Sequence, residues 1–374
     1  MLQPDPIRIL LSGGGTGGHI FPAIAIANAI KAKVPAAEFL FVGAKGRMEM
    51  QRVPAAGFEI EGLWISGLQR KLTFDNLSFP FKVISSLIKA KRIIRRFRPD
   101  VVIGTGGYAS GPTLRAAATL GIPTLIQEQN SFPGITNKML AGKADRICVA
   151  YEGMEKFFPA GKIRLTGNPI RHELAHSTAG KAEALDAFSL KPGKSTLLVI
   201  GGSLGAKTIN KSIQQGLQLL AAHNIQLIWQ TGNGFAAEAS DSVKPYTDLG
   251  FTTTAFISRM DLAYAAADMV VSRAGAIAIS ELCAVGKPVI LVPSPNVTED
   301  HQTKNSLALT GKSAAIMITD ADAREKLVPA IVELAGNPAK QTELKQNIRN
   351  MALVNAADTI AAEALSLVGK YNIK

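Results

Sequence analysis

The stretch ILLSGGGTGGHIFP, residues 9–22, runs from an apolar segment into a glycine-rich loop and then into a histidine. Gly13, Gly15 and Gly18 satisfy the spacing G-x-G-x-x-G, which is typical of a strand, turn and helix that bind a dinucleotide. Glycines let the backbone turn sharply and approach a ligand, and the start of the next helix offers N–H groups to a phosphate. The stretch therefore predicts a Rossmann-like unit with an anion site in its loop; the alternative is a tight turn without a ligand.

A nicotinamide cofactor is disfavoured by the end of the next predicted strand. Such an enzyme needs a carboxylate about 20 residues beyond the glycines to bind the ribose hydroxyls. Here the strand ends in Phe41-Val42-Gly43-Ala44-Lys45, and Glu38 stands at its start instead. A basic residue would still suit a 2′-phosphate, so NADP stays an alternative. We predict that the chain uses no cofactor.

A second glycine-rich stretch, LLVIGGSLGAK at residues 197–207, repeats the same opening, with Gly201 placed 188 residues after Gly13 in a chain of 374. Apolar strands alternate with helical patterns through both halves, which predicts parallel sheets covered by helices. We therefore expect an α/β chain of two Rossmann-like domains whose sheets face an interdomain cleft. The predicted divisions are a first domain at 1–168, a linker at 169–194, a second domain at 195–354 and a final helix at 355–374 that packs back on the first domain.

The composition indicates an ordinary globular chain with an anionic partner. Hydrophobic residues make up 47% and charged residues 19%, and the formal net charge is +12. That charge favours nucleic acid, a phosphorylated substrate or an anionic membrane surface. The two cysteines, Cys148 and Cys283, lie far apart, which disfavours a zinc ribbon and indicates a reducing compartment. We expect neither a signal peptide nor a membrane-spanning segment.

Two short motifs match metal-site patterns, but we expect no metal at either. His172-Glu173-Leu174-Ala175-His176 has the zinc-protease form H-E-x-x-H, yet it falls in the predicted linker. Asp320-Ala321-Asp322 has the D-x-D form of some sugar-nucleotide transferases. It also precedes a predicted helix, where acidic residues have an ordinary capping role.

Residues 68–98 combine large apolar side chains with nine lysines and arginines against a single acid, Asp75. Such a segment suits the headgroup region of an anionic bilayer. The alternative is a core helix whose outer face is basic. We predict a peripheral membrane patch formed by Leu77, Phe79, Phe81 and Lys82.

Two stretches of the second half predict a nucleotide-diphosphate site. SRAGAIAISE, residues 272–281, follows a predicted strand, so the first turn of its helix suits a diphosphate and Glu281 suits ribose hydroxyls. TEDHQTKNS, residues 298–306, follows the next strand, at the sheet edge where α/β proteins bind ligands. Gln302 and Asn305 lie three apart there, on one helical face.

At these residues the chain resembles the peptidoglycan N-acetylglucosaminyltransferase family, which has the GT-B fold. The resemblance implies transfer of N-acetylglucosamine from UDP-N-acetylglucosamine to the C4 hydroxyl of the muramoyl sugar of lipid I, with inversion and without an essential metal. The product, lipid II, is made for the cell wall at the cytoplasmic face of the bacterial inner membrane, where other cell-wall synthesis proteins are potential partners. The stretches that carry the resemblance span almost the whole chain in family order: 13–22, 104–112, 127–134, 166–171, 201–206, 272–281 and 300–305.

The resemblance also implies site residues, with the acceptor in the first domain and the donor in the second. His19 is the candidate base and would face the acceptor hydroxyl, a role that suits an imidazole near neutral pH. Glu281 is the second candidate catalytic residue. The acceptor pyrophosphate would meet Gly14, Gly15, Gly104, Thr105, Gly106, Gly107 and Tyr108. The donor would contact Thr16, Gly17, Gly18, Asn130, Arg171, Ser203, Ile257, Ala276, Ile277, Ala278, Ile279, Ser280, Glu281 and Gln302.

Two features of the chain qualify this interpretation. The family usually has Gln where this chain has Leu204, and Arg where it has Lys207. Two rival functions also stay open. A UDP-N-acetylglucosamine 2-epimerase shares the fold and the donor but needs no membrane patch. A nucleic-acid-binding module would explain the charge but not the glycine loops, and we expect no nucleic-acid partner.

Overall fold

The computed structural model describes residues 6–67, 79–175, 177–202 and 204–369. The chain divides into two compact units: Met1–Ile170 together with Val354–Lys374, and Arg171–Leu353. Each unit is built on its own parallel sheet. The expectation of an α/β chain with two Rossmann-like domains and parallel sheets is therefore confirmed.

The first unit holds a parallel sheet of seven strands within the described residues, in the order β3-β2-β1-β4-β5-β6-β7. β1 lies between β2 and β4, so the strand order reverses beside it. Ligands of open α/β sheets bind at such a switch point, beyond the carboxyl ends of the strands. The strands are β1 (Arg8–Gly13), β2 (Glu38–Ala44), β3 (Ile60–Leu63), β4 (Val101–Gly106), β5 (Thr124–Glu128), β6 (Arg146–Val149) and β7 (Ile163–Leu165).

Helices cover both faces of this sheet. Alternate residues of β1 point to opposite faces, so Leu10 joins one core cluster and Leu11 the other. This two-sided burial explains why the strands are apolar throughout rather than alternating. Among the described residues of the first unit, and apart from the last helix of the chain, the helices are α1 (Gly17–Lys33), α2 (Glu49–Ala55), α3 (Phe79–Phe97), α4 (Ser110–Thr119) and α5 (Ile135–Ala141).

The last helix of the chain, Ala356–Ser366, belongs to the first unit. Its buried residues Ile360 and Leu365 pack in the same cluster as Ile26 of α1. Its Glu363 lies 2.9 Å from the Arg146 side chain at the start of β6. The helix therefore closes one face of the first sheet.

The second unit repeats the plan with six strands among the described residues, in the order β10-β9-β8-β11-β12-β13. β8 lies between β9 and β11, which places a second switch point after β8. Its core includes the fully buried Trp229. The strands are β8 (Ser195–Ile200), β9 (Ile225–Gln230), β10 (Phe251–Thr254), β11 (Met269–Ser272), β12 (Val289–Leu291) and β13 (Ile316–Met317).

The helices of the second unit lie between these strands and at both ends of the unit. Among the described residues they are α6 (His172–Ala175), α7 (Lys181–Ala187), α8 (Lys207–Gln215), α9 (Leu217–Ala222), α10 (Ala236–Val243), α11 (Met260–Ala266), α12 (Ala276–Val285), α13 (His301–Thr310), α14 (Ala323–Ala335) and α15 (Pro338–Arg349).

The stretch 169–194, for which the sequence predicts a linker, contains α6 and α7 and belongs to the second unit from Arg171 onward. Polar residues surround Ala184 and Leu185, but these two side chains are buried. A short amphipathic helix with two core residues therefore stands where composition alone indicates a connection. Among the helices that the structure describes, none combines the length and the apolarity needed to cross a bilayer.

Candidate functional site

The first glycine loop, residues 13–18, lies against the loop at Gly104–Tyr108. The Gly14 N–H donates a 3.3 Å hydrogen bond to the Gly106 carbonyl, and the Thr105 hydroxyl donates to the His19 carbonyl at 2.8 Å. A Cβ on Gly107 would lie 2.2 Å from the Gly14 oxygen. The two loops thus meet backbone to backbone, which requires glycine at this contact.

His19 lies in the first turn of α1, and its ring is oriented by the glycine loop. Its Nδ1 is 3.0 Å from the Gly14 carbonyl oxygen. A carbonyl only accepts hydrogen bonds, so Nδ1 carries a proton and neutral His19 keeps its lone pair on Nε2. A Cβ on Gly106 would lie 3.0 Å from that Nε2. The role of His19 as a base stays a prediction, and in the Nδ1–H tautomer that this contact favours the basic nitrogen is Nε2.

Glu49, at the start of α2, accepts a hydrogen bond from the backbone of the first glycine loop. Its side chain is fully buried. Gly15 N–H donates to its Oε2 at 3.0 Å, and Ala44 N–H donates to its Oε1 at 2.9 Å. The pyrophosphate contact at Gly15 stays a prediction, and its N–H is the group that Glu49 holds. No motif marks Glu49, and only the folding of β2 and α2 against the loop reveals it.

Tyr108 presents an aromatic ring beside the first glycine loop. The side chain is 49% exposed. A Cβ on Gly67 would lie 2.2 Å from its Cζ, and a Cβ on Gly15 would lie 3.9 Å from its Cε2. The ring therefore lies close to the backbone at Gly67 and Gly15 and stays about half exposed, and its contact with the acceptor pyrophosphate stays a prediction.

Asn130 lies in a loop that is ordered by a second buried carboxylate, Glu128. Glu128 Oε1 accepts from the Asn130 N–H at 2.9 Å. Its Oε2 accepts from the Gly134 N–H at 3.1 Å and from Asn137 Nδ2 at 2.8 Å. The sequence predicted Asn130 as a donor contact and missed Glu128, because a carboxylate at a strand end has no distinguishing pattern.

In the second unit, Arg171 and Glu281 form a bidentate ion pair. Arg171 Nε lies 2.8 Å from Glu281 Oε1, and Nη2 lies 2.9 Å from Oε2. Burial alone would lower the pKa of Arg171, but the hydrogen bonds and charge of Glu281 raise it above its ordinary value. Burial, and then the Glu281 charge, raises the pKa of the neighbouring Tyr264 phenol. Both residues were predicted as donor contacts; their pairing was not.

Gln302 connects the two loops that follow β11 and β12. Its Oε1 accepts from the Ser294 N–H at 2.8 Å and from the Ala274 N–H at 3.2 Å. These two hydrogen bonds hold the side-chain oxygen and so fix the direction of the NH2 group. The NH2 group is the part of Gln302 that would donate to a ligand. The predicted ligand residue is thus also a brace for the loop that begins α12.

Gln230, at the end of β9, connects the second glycine loop (residues 201–205) to the loop after β10. Its Nε2 donates to the Gly202 carbonyl at 3.1 Å, and its Oε1 accepts from the Ile257 N–H at 3.1 Å. The Ile257 side chain is buried. The predicted donor contact at Ile257 is therefore a backbone position held by an amide that the sequence did not reveal.

The start of α12 holds the predicted donor contacts at residues 276–281, which differ in burial and in hydrogen bonding. Ala276, Ile277 and Ala278 are half-buried, but the Ile279 side chain lies in the core. The Ser280 hydroxyl donates back to the Ala276 carbonyl at 3.1 Å. The donor contact at Ile279 stays a prediction, and with its side chain buried it would be made by the backbone.

The two carboxylates of the D-x-D motif pair with other protein groups. Asp320 Oδ1 lies 2.5 Å from Arg273 Nη1, and its Oδ2 accepts from the Thr208 hydroxyl at 2.9 Å. Asp322 pairs with the Thr319 hydroxyl at 2.9 Å, just before α14. Among the residues that the structure describes, no group of three potential ligands lies close enough to hold a metal. His176 and the predicted donor contact Ser203 lie outside the described residues.

The predicted membrane patch is partly described, since Leu77 lies outside the described residues. Phe81 is 69% exposed, and Ile84 and Ile88 on α3 are each 56% exposed. Trp64 is also exposed, and the Lys82 ammonium lies 5.7 Å from its ring centre. Together with Lys89 and Arg92 they line a shallow apolar depression with a cationic rim. We call Trp64, Phe81, Ile84 and Ile88 the α3 patch.

Comparison with known families gives a match in each unit. Residues 9–149 match the glycosyltransferase family 28 N-terminal domain. Residues 196–360 match the glycosyltransferase family 28 C-terminal domain.

Curated relatives match over nearly the full chain. One is the UDP-N-acetylglucosamine–N-acetylmuramyl-(pentapeptide) pyrophosphoryl-undecaprenol N-acetylglucosamine transferase of Parabacteroides distasonis, which is 55% identical and aligns over 97% of this chain and 99% of its own. The transferase of the same name from Cytophaga hutchinsonii is 55% identical over 98% of this chain and 99% of its own.

Solved structures share the architecture. MurG of Acinetobacter baumannii superposes with a TM-score of 0.79 at 26% identity and covers 96% of this chain and 100% of its own. A UDP-N-acetylglucosamine 2-epimerase superposes with a TM-score of 0.64 at 13% identity, over 99% of both chains, and shows the fold alone. These likenesses, with the two parallel sheets, confirm the predicted GT-B fold class.

Proposed function

The chain belongs to glycosyltransferase family 28, and we propose that it moves N-acetylglucosamine from UDP-N-acetylglucosamine to the C4 hydroxyl of the N-acetylmuramoyl sugar in undecaprenyl-pyrophosphoryl-N-acetylmuramoyl-pentapeptide. The acceptor is lipid I and the product is lipid II, a peptidoglycan precursor. One observation carries this conclusion: relatives named for this reaction are 55% identical over nearly the whole chain.

The second unit supports a donor-binding role. The start of α12, which follows Gly275, offers backbone N–H groups that suit the diphosphate of UDP. Glu281, fixed by Arg171, has oxygen lone pairs left to accept from the two ribose hydroxyls. The Gln302 amide and the Ile257 backbone complete the proposed donor site, and each is held by a bond within the unit.

The first unit supports an acceptor-binding role, with His19 as the base. In the reaction, a bond forms between the acceptor O4 and the anomeric carbon of N-acetylglucosamine. The bond between that carbon and the UDP oxygen breaks with inversion. His19 Nε2 takes the hydroxyl proton, and its Nδ1–H stays on the Gly14 carbonyl. UDP leaves with the bonding electrons, and each fixed N–H donor that faces its phosphates contributes up to a few kcal/mol.

The α3 patch supports a peripheral membrane contact near the lipid-linked acceptor. Its side chains are large, apolar and exposed, Lys89 and Arg92 line the same depression, and the Lys82 ammonium lies over the Trp64 ring. Apolar side chains enter the headgroup boundary while lysines and arginines face anionic lipids. Replacing Phe81 by Ser is expected to weaken cosedimentation with anionic vesicles while UDP-N-acetylglucosamine binding survives. Equal vesicle binding by the variant would remove the membrane role.

The test of the reaction supplies UDP-N-acetylglucosamine with a soluble lipid I analogue and follows UDP release and disaccharide formation. We expect β-linked disaccharide and stoichiometric UDP. Epimerised sugar without disaccharide would instead assign the chain to the epimerases. A parallel reaction with EDTA checks the expectation that no metal is required.

A further inference from the structure

We propose that Glu49 is a positioning residue for His19, acting through the peptide group that joins Gly14 and Gly15. The inference rests on the proposed function, because it concerns how His19 is prepared to act as the base. Glu49 belongs to no motif and lies on a different element, α2, from the histidine.

Glu49 and His19 bind opposite ends of one peptide group. The N–H of that group, on Gly15, donates to Glu49 Oε2 at 3.0 Å. The C=O of the same group, on Gly14, accepts from His19 Nδ1 at 3.0 Å. In a trans peptide the N–H and C=O point in opposite directions, so fixing one end fixes the other. By holding the Gly15 N–H, the Glu49 carboxylate therefore directs the Gly14 carbonyl toward the His19 imidazole.

The glycine loop needs this constraint because it is made of glycines. A peptide between two glycines rotates with little steric cost, and Gly15 has a φ of +83°. A flipped peptide would present its N–H to His19, and Nδ1 would then have to be the acceptor. The proton would move to Nε2, and neutral His19 would lose the lone pair that accepts the substrate proton. Glu49 opposes this flip.

Burying the Glu49 carboxylate costs free energy that a purely structural role would not require. Its side chain is fully buried. Among the ion pairs of the described residues, none includes it. A buried carboxylate without a cation is unfavourable unless hydrogen bonds compensate. Here two backbone N–H groups do so, one from the loop and one from Ala44. A charged acceptor also polarises the peptide, which strengthens the hydrogen bond from His19 to Gly14.

The packing around Glu49 is equally specific. A Cβ on Gly14 would lie 2.1 Å from Glu49 Oε1, and a Cβ on Gly43 would lie 2.5 Å from its Cγ. Both glycines leave the space that the carboxylate occupies. One of them belongs to the first glycine loop, so part of the glycine pattern at residues 13–18 accommodates Glu49 rather than a ligand.

The test is Glu49→Gln in the full chain, assayed with UDP-N-acetylglucosamine and a lipid I analogue. Glutamine keeps the size, but its NH2 group must face one of the two N–H donors, so the peptide is no longer held. We expect kcat to fall about 10- to 100-fold, the scale of misplaced general-base catalysis. The KM for UDP-N-acetylglucosamine should change less than kcat, since most of the predicted donor contacts lie in the other unit.

A second readout follows the proton directly. In wild-type chain with ¹⁵N-labelled histidine, the NMR shifts of His19, assigned with a His19→Asn variant, should show the proton on Nδ1. In Glu49→Gln the shifts should move toward the Nε2–H form. This measurement needs no turnover, so it tests the inference even if the wild-type enzyme transfers no sugar and the proposed function fails.

The matched control is Asp145→Asn in the same unit. Asp145 accepts from the Thr124 N–H at 2.8 Å, at the opposite end of the sheet. Its loss should leave kcat and the His19 shifts unchanged. The inference is overturned if wild-type His19 carries its proton on Nε2, if Glu49→Gln keeps full kcat, or if Asp145→Asn lowers kcat equally.

Discussion

The two glycine loops have similar sequences but different supports. A buried carboxylate, Glu49, accepts the Gly15 N–H of the first loop. A buried amide, Gln230, donates to the Gly202 carbonyl of the second. The first loop therefore rests on a negative charge, and the second on a neutral side chain.

The difference matches what each loop is proposed to do. The first loop orients a histidine, because its Gly14 carbonyl accepts a hydrogen bond from His19 Nδ1 while Glu49 holds the other end of the same peptide group. The second loop belongs to the unit proposed to bind the UDP diphosphate, where a carboxylate would repel the ligand. Two loops with one sequence pattern are thus held by opposite kinds of hydrogen bond, through residues outside the pattern.

The strongest test of the first loop removes the histidine itself. His19→Ala should lower kcat by about 10²- to 10⁴-fold, because a positioned general base contributes on that scale. Binding of UDP, measured by calorimetry, should be unchanged. A variant that turns over at the wild-type rate would mean that another group takes the proton. Orientation of a general base would then no longer explain why the two loops are held differently.

The second unit should respond in affinity rather than in turnover. Glu281→Gln removes the charge that fixes Arg171 and weakens the acceptor for the ribose hydroxyls, so the KM for UDP-N-acetylglucosamine should rise about 10- to 100-fold.

The control is Asp241→Asn, which breaks the exposed pair with Lys244 in the same unit. Exposed pairs contribute little, so its kinetics should equal those of the wild type. If Glu281→Gln lowered kcat alone, Glu281 would have to act on the reacting atoms instead of the ribose.

The sequence predicts the fold well because the fold depends on local patterns. Strand, glycine loop and helix recur at residues 9–22 and 197–207, and the intervening apolar runs require parallel sheets buried on both faces. The helix α7 was missed because only Ala184 and Leu185 of its short length are core residues. Composition does not separate such a helix from a polar linker.

The site was predictable as a set of residues but not as a set of bonds. Arg171 and Glu281 both stand in recognisable stretches, yet they are 110 residues apart in sequence, and nothing local predicts that they pair. Glu49 and Gln230 lie outside every stretch that carries the resemblance, and Glu128 lies inside one, at 127–134, without being marked by it. They act by holding backbone, and the backbone they hold is fixed only when distant strands come together.

The contrast between the loops can be sharpened by exchanging the charge. Gln230→Glu places a carboxylate behind the second loop, where its oxygen would oppose the Gly202 carbonyl instead of donating to it. Donor affinity should fall about tenfold, through both the lost hydrogen bond and repulsion of the diphosphate. Isothermal titration calorimetry with UDP should show this loss of affinity. The loss should be smaller at high salt if repulsion dominates, because salt screens the charges. Unchanged affinity would mean that the second loop does not face an anion.

The smallest expected effect concerns a property that the two units share. Burial raises the pKa of Cys148 in the first unit and of Cys283 in the second, each to about 12. The unfolded chain releases these protons near pH 9, while the folded chain holds them. Stability from this source is therefore complete below about pH 9 and declines from there to about pH 12, by at most ~1.4 kcal/mol per pH unit for each thiol.

Urea unfolding at pH 8 and pH 10 measures this decline, which lysine titration also affects. The informative quantity is how much the free energy of unfolding falls between pH 8 and pH 10 in the wild type compared with Cys283→Ala. The cavity that the variant leaves lowers the free energy of unfolding equally at both pH values, so it does not change this difference. Cys148→Ala should reduce the fall in the free energy of unfolding by a similar amount, since both thiols are buried. A smaller effect at Cys148 would show that the neighbouring Thr166 and arginines offset its burial, whereas equal effects would assign both pKa shifts to burial.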